Sequence, residues 1–316
     1  MIKHPSEQIQ AAAFLLKTGG LVAFPTETVY GLGADASNES AIARIYQVKN
    51  RPADHPLIVH LSDTSAVGHW AKDVPDYGLA LMKDYWPGPM TLVFNRTEHA
   101  KNYLTGGQET VALRIPSHPL ALELLQEFSN LGGLGLAAPS ANRYGAVSPT
   151  TAQAVNEELA DFLGASDLIL DGGQSGVGVE STIIDCTGSA PVILRPGAIT
   201  KEMIEKTTGL SIGQQSSSSP RVSGSLQKHY SPNATVLIDG EPATGDGFIA
   251  LSSITTPEGV VRLASPETLE DYARDLYLAL RKADELKIET VRVVPPTGDG
   301  LAIAIRDRIT RSAAKG

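Results

Sequence analysis

Lys49 and Arg51 stand two apart in KNRPADHPLIVH, residues 49–60, and His55 and His60 share the same twelve positions. Fixed cations gathered in a loop between two prolines suit a small anion, a phosphate or a carboxylate. Further along, TVALRIP sets Thr110 and Arg114 four apart, which puts both on one face of an extended segment. A guanidinium inside so apolar a run needs an anionic partner. APSANRYGAVSPT packs Ser140, Asn142, Arg143 and Ser148 into one loop. VESTIID brings Glu180, Ser181 and Thr182 to the start of a strand, and ILRPG ends another on Arg195. Cations to neutralise, with hydroxyls and amides to orient, equip a site for an anionic ligand. Loops at strand ends of an open α/β sheet are where such groups converge.

Several of these residues also have a purely structural reading. Lys49 arrives at a helix C-terminus, where the dipole favours a cation. His60, closing LIVH, reads as a satisfied core histidine, Arg195 before Pro-Gly as a surface ion pair, and Ser140 and Asn142 as turn or cap residues. Other chemistries lack their signatures. GLGADA (31–36) fits a dinucleotide glycine pattern by letter, but PTETVY separates it from the preceding strand and no acid follows at the required distance. GGQSGVG (172–178) lacks a P-loop lysine, and neither a G-x-S-x-G elbow nor H-E-x-x-H spacing occurs. From the residues alone the reading stops at an anionic-ligand site in an α/β domain.

These groups must be held by a fold, and the chain is long enough for one: 316 residues, 42% apolar and 19% charged, in keeping with a globular protein of one large or two ordinary domains. A net charge of −9 argues against an extended phosphate-binding face, so local basic clusters require local anions. The single cysteine, Cys186, excludes an internal disulfide and suits a reducing compartment; no apolar run approaches a membrane span, and a cytoplasmic location is expected.

Helical patterns EQIQAAAFLLK, NESAIARIYQVKN (capped near Ser37 or Asn38), PLALELLQEF and TTAQAVNEEL alternate with the apolar runs LVAF, PLIVHL, TLVF, TVALRI, LGLAA and LILD. STIIDCTGSAPVILRPG reads as a β-hairpin. Mixed connections predict an α/β or α+β domain around one twisted sheet over residues 1–210. Residues 211–232, rich in Ser, Gly and Pro, mark a linker or functional loop. Residues 233–316 then alternate strands with two helices, a small open Rossmann-like α/β sheet.

Taken in order, FPTETVYGLG, K-N-R-P…PLIVH, WPGPMTLV, TVALRIP, APSAN…SPT, GVESTIID, ILRPG and HYSP resemble the YrdC-like threonylcarbamoyl-AMP synthases in their longer form, which carries an additional C-terminal domain. The likeness runs through nearly the whole first domain and into the linker. It implies a twisted, mixed, open sheet around a large positively lined cavity. It also implies a nucleotidyltransferase joining L-threonine, bicarbonate and ATP into threonylcarbamoyl-AMP and pyrophosphate, with Mg2+ on the nucleotide and no metal held by protein side chains. The product would pass to a tRNA threonylcarbamoyl-transferase system, with at most weak direct tRNA contact. By the resemblance, Thr28, Tyr30, His60, Arg114, Ala138 and Ser181 are expected to receive threonine. Arg51, His55, Thr110, Ser140, Ser148, Arg195 and Tyr230 are expected to receive ATP. Lys49 with Arg51, and Ser140 with Asn142, match the family's Lys-x-Arg and Ser-x-Asn signatures and are expected to act in catalysis.

Two positions depart from the pattern: Asn50 stands for a glycine and His55 for an asparagine. The linker ending in Lys228, His229 and Tyr230 is suited to close over the nucleotide as a lid. Two other readings compete with this one: an RNA-binding module without chemistry, and a related nucleotidyl- or carbamoyltransferase with another acceptor.

Overall fold

Helix α1 (Pro5–Lys17) opens the described chain, which comprises residues 5–224, 229–238 and 240–314 of a computed structural model. Its stripe of Ile9, Ala12, Ala13 and Leu16 is buried with Leu124 and Phe128 of a later helix, as the i, i+3, i+4, i+7 spacing requires.

Ten strands make one sheet: β1 (Val22–Phe24), β2 (Gly31–Asp35), β3 (Ile58–His60), β4 (Ala71–Lys72), β5 (Met90–Arg96), β6 (Thr110–Arg114), β7 (Leu136–Ala137), β8 (Leu168–Ile169), β9 (Thr182–Asp185) and β10 (Val192–Arg195). Between and after them run α2 (Glu39–Lys49), α3 (Val67–Trp70), α4 (Asp76–Tyr85), α5 (Asn102–Thr105), α6 (Pro119–Asn130), α7 (Ala152–Leu159) and α8 (Lys201–Thr208).

The strand order is β10-β9-β5-β6-β3-β7-β2-β1-β8, with β4 beside β5. Parallel pairs (β3 with β6, β5 with β9, β1 with β8) occur among antiparallel ones, so the sheet is mixed as expected. The sequence STIID…VILR forms the antiparallel hairpin β9–β10. GLGADA, whose lettering suggested a nucleotide loop, is instead largely the fully buried strand β2. Of the two caps considered for α2, Asn38 is used: its side chain accepts from the Ala41 amide at 3.1 Å.

The second sheet holds β11 (Thr235–Leu237), β12 (Gly247–Ile249), β13 (Val261–Ala264) and β14 (Thr290–Val293) in the order β11-β14-β12-β13, parallel throughout. α9 (Leu269–Glu285) and α10 (Leu301–Ala313) pack on it. α9 starts with a full capping box, Thr268 and Asp271 bonding each other's backbone.

The two sheets are not joined by a free tether. Val29, Val147 and Val179 from the first domain share one apolar cluster with Tyr272, Leu276, Ile305 and Ile309 of α9 and α10. Gly178 permits that approach. Its φ of +78° is left-handed, and a Cβ there would lie 2.3 Å from the Arg274 Cα. The glycine-rich 172–178 stretch is thus used where the chain passes against α9. The linker is seated as well: the Gly213 amide donates to the Pro191 carbonyl at 2.9 Å, and Val222 packs among Ile58, Val93 and Ile183.

Candidate functional site

Strand ends β1, β3, β6, β7 and β10 converge on one cavity with an empty volume of about 550 Å3. Thr28 and Tyr30, in the turn leaving β1, form one side, with His60 at the end of β3 and Arg114 at the end of β6. Ala138 and Ser140 follow β7; Ser181 precedes β9; Arg195 ends β10; Arg51 reaches in from beyond α2. Tyr230 closes the cavity from the linker, together with Ser223, Gly224 and His229. Ten of the residues singled out in the sequence therefore share one chamber. Lys228, the third linker residue expected in a lid, lies outside the described residues. A larger open cleft, about 1380 Å3 of empty volume, lies elsewhere among Lys72, Arg96, Lys101 and Glu109, but its ions are of mixed sign and Arg96 is paired with the exposed Glu109 at 2.7 Å. Surface pairs of this kind carry little binding chemistry.

Three guanidiniums in the chamber are buried and differently held. Arg114 has Nη2 2.8 Å from Glu27 Oε1, donates through Nη1 to Thr28 Oγ1 at 2.9 Å, and through Nε to the Gly88 carbonyl at 3.3 Å. This supplies the anionic partner that a buried arginine demands. Arg195, expected at the surface on one reading, is 4% exposed; Nε and Nη2 donate to the Ser181 carbonyl at 3.1 and 3.0 Å, and Nη1 to the Ser223 carbonyl at 3.0 Å. Arg51 donates through Nη2 to the Pro56 carbonyl at 3.0 Å and to Ser223 Oγ at 3.1 Å. Neutral acceptors leave the positive charge of Arg51 and Arg195 largely unspent, and burial lowers the pKa of both. A cavity built this way attracts anions.

Five expected site residues lie off the chamber wall. The Lys49 ammonium points at the Ser140 and Asn142 carbonyls, 2.6 and 2.5 Å away, and burial followed by the Arg51 charge holds its pKa well below the ordinary value. The Asn142 amide donates to the Arg143 and Ala146 carbonyls, folding the same loop. The Lys-x-Arg and Ser-x-Asn signatures thereby form one unit in which Lys49 pins the loop that presents Ser140. Ser148 donates to Glu180 Oε1 at 2.6 Å. Thr110 faces an adjoining crevice roofed by Val222 and Ser223. His55 lies half-buried against Tyr144, its ring 5.5 Å from the tyrosine ring.

The departure at Asn50 has a simple cause. It caps α2 in the left-handed region (φ 51°, ψ 44°), where glycine is the default and asparagine the best-tolerated alternative.

Several participants escaped the sequence reading. Glu27 left no signal beyond being the one acid in the turn PTETVY that follows β1. Glu180, recognised only as a residue before a strand, lines the cavity. Arg308 had a signal: in LAIAIRDRITRSA it falls on the same stripe as Ile305, Ile309 and Ser312, a basic residue on an apolar helix face.

Two histidines in this chamber are held neutral. Burial, then the neighbouring Arg114, brings His60 from 6.5 down to about 3; burial also brings His229 to about 3. Below pH 6.5 the unfolded chain binds protons that the folded chain refuses, so stability falls on acidification. Each histidine is expected to remove about 1.4 kcal/mol per pH unit between 6.5 and 3. Denaturant titrations at pH 7.5, 6 and 5 should show this slope, and His229→Gln should flatten it; an unchanged slope in the variant would exclude the contribution.

A family model described as Sua5_yciO_yrdC, "Telomere recombination", matches residues 14–197, and one described as Sua5_C, "Threonylcarbamoyl-AMP synthase, C-terminal domain", matches residues 199–314. A threonylcarbamoyl-AMP synthase of Pyrococcus abyssi is 38% identical over 97% of this chain and 94% of its own length. One of Bacillus subtilis is 41% identical over 95% and 91%. The crystal structure of P. abyssi Sua5 complexed with L-threonine superposes with a TM-score of 0.87 at 36% identity, covering 98% of this chain and 94% of that one.

Proposed function

The chain belongs to the Sua5/YciO/YrdC family, with the Sua5 C-terminal domain behind it, and on that premise we propose that it is a threonylcarbamoyl-AMP synthase. L-Threonine, bicarbonate and ATP are its substrates, and threonylcarbamoyl-AMP and pyrophosphate its products. The observation that carries this reading is the chamber in which Arg51, Arg114 and Arg195 converge with the hydroxyls of Thr28, Ser140 and Ser181.

The chemistry asks little of the protein beyond charge and position. The threonine amine adds to carbon dioxide derived from bicarbonate, giving a carbamate. One carbamate oxygen attacks the α-phosphorus of ATP, and the bond to the β-phosphate oxygen breaks to release pyrophosphate. Threonine carboxylate, carbamate and triphosphate are all anionic, and each like-charged pair about 4 Å apart costs roughly 4 kcal/mol at an effective dielectric of 20. Arg114, beside Thr28 and His60, is the group we assign to the threonine carboxylate. Arg51 and Arg195, whose present partners are a hydroxyl and carbonyls, are free in charge to meet phosphate. Lys49 acts through the loop it holds, and the linker limits the water that would hydrolyse the mixed anhydride. Magnesium would accompany ATP as part of this proposal and would offset some of the triphosphate charge when bound. Transfer of the product to a tRNA threonylcarbamoyl-transferase system and a cytoplasmic location complete the proposal. Among the described residues no helix is long and apolar enough to cross a membrane.

The test is a panel of amino acids assayed for pyrophosphate release from ATP, with and without bicarbonate. Release that requires both threonine and bicarbonate is expected. Release with another amine, or salt-dependent RNA binding without ATP consumption, would replace this reading.

A further inference from the structure

Glu180 places a carboxylate in the wall of a chamber otherwise arranged for anions. Left alone, it would repel a triphosphate. It is answered from the second domain: the Arg308 Nε on α10 donates to Oε2 at 2.8 Å, and the Tyr277 hydroxyl on α9 donates to the same oxygen at 2.9 Å. Ser148 donates to the other oxygen. Burial by itself would raise the carboxyl pKa, but Arg308, then Arg195 and the Ser148 hydrogen bond, bring it down to about 2. The carboxylate is thus charged and fully satisfied. Arg308 has no exposed surface, and its Nη2 also donates to the Pro196 carbonyl at 3.0 Å, next to the end of β10.

The same two helices seat Tyr230. The Arg308 guanidinium lies 5.4 Å from the Tyr230 ring centroid, and the Tyr277 ring lies 5.5 Å from it, tilted by 30°. The Tyr230 backbone is in the left-handed region, φ +60°, which a tyrosine adopts only when its surroundings impose it. The imposing contacts are these rings and the linker's backbone: the His229 amide donates to the Arg311 carbonyl of α10, and the Ser231 amide to the Gly145 carbonyl. The result is a buried Tyr230 hydroxyl with no hydrogen-bond partner among the described residues, against Gly224 and Arg195. At Gly224, φ +83°, a Cβ would come within 2.5 Å of that hydroxyl, so only glycine passes there.

A buried ion pair of this kind is a poor way to stabilise an interface, since apolar residues of similar size do as well or better. Its location supplies a different reason. We infer that Arg308 and Tyr277 are positioning residues for nucleotide binding: they cancel the Glu180 charge in the chamber wall and hold Tyr230 against the nucleotide subsite, so that the second domain sets the affinity for ATP. This inference rests on the proposed ATP reading.

Three variants test it: Tyr277→Phe, which keeps the ring and removes one hydroxyl, Arg308→Lys, and Arg308→Met. Steady-state kinetics would be read separately for ATP and threonine, alongside hydrogen exchange of residues 219–232 with and without ATP. The KM for ATP should rise about tenfold in Tyr277→Phe and further in Arg308→Met, while the KM for threonine stays within about twofold. Arg308→Lys, which keeps the charge, should recover part of the loss. Adding Glu180→Gln to Arg308→Met should restore ATP affinity in part, because the uncompensated charge is gone. ATP-dependent protection of 219–232 should weaken in step. A Tyr277→Phe enzyme with unchanged KM for ATP and unchanged ATP-dependent protection overturns the inference, and this mild variant decides the matter if Arg308→Met does not fold. Should the unsubstituted chain itself fail to bind ATP, the nucleotide reading is what falls.

Discussion

Arg195→Met is expected to lower threonine-dependent pyrophosphate release by about 10^3-fold while the protein still folds. The arginine sits at the end of β10 with no carboxylate hydrogen-bonded to it, Glu180 nearby being paired with Arg308; its four hydrogen bonds go to the Ser181 carbonyl and hydroxyl and to the Ser223 carbonyl. Methionine fills much of the same volume, so the apolar stem is replaced and only the guanidinium is lost. What disappears is a preorganised cation in a site from which water is largely excluded, where such groups contribute most. Initial rates of pyrophosphate release, with a thermal melt as control for folding, give the answer. A variant that turns over within about tenfold of the parent, with an unchanged melt, would remove Arg195 from the proposed nucleotide site.

Arg114→Met should fail differently, in both function and stability. Its partner Glu27 is almost buried and would be left with a charge facing no cation, a loss of about 3 kcal/mol. Glu27 Oε2 would still accept from the Ser117 amide at 3.1 Å, which is too little to offset the missing guanidinium. Threonine affinity should fall by about 10^2-fold, because a carboxylate would enter a pocket that no longer answers it. The two effects can be separated. Adding Glu27→Gln should return most of the stability, since the neutral amide needs no counter-ion, yet return none of the threonine binding. Recovery of both in the double variant would mean that Arg114 serves the fold alone. Calorimetric titration with L-threonine and chemical denaturation of the four proteins complete this cycle.

The residues that were legible in the sequence are those whose type conflicts with their surroundings. Arg114 inside TVALRIP announced a buried partner, and Arg51 beside prolines announced a loop site. Glycine- and proline-marked strand ends placed Thr28, Ser140 and Arg195 where an open sheet puts its ligands, and the structure gathers them there. The β9–β10 hairpin and the parallel second sheet were legible for a similar reason: alternation and turn residues are local properties. What could not be read was pairing at a distance. Nothing near Arg114 names Glu27, 87 positions earlier, and nothing in VESTIID names Arg308, 128 positions on. Lys49 shows the same limit from another side. Its type and place suited a phosphate ligand, whereas its ammonium is directed at two carbonyls of a loop that is far away in the chain. Direction within a fold depends on packing that composition does not encode.

The Glu180–Arg308 pair carries a consequence for descent. A carboxylate in the catalytic half is chemically tolerable only while a guanidinium from the other half accompanies it, and neither substitution is neutral alone. On the inference above, loss of the second domain would have to be matched by a change at position 180 to keep full activity, so a buried charge pair ties the two halves together beside their shared apolar cluster.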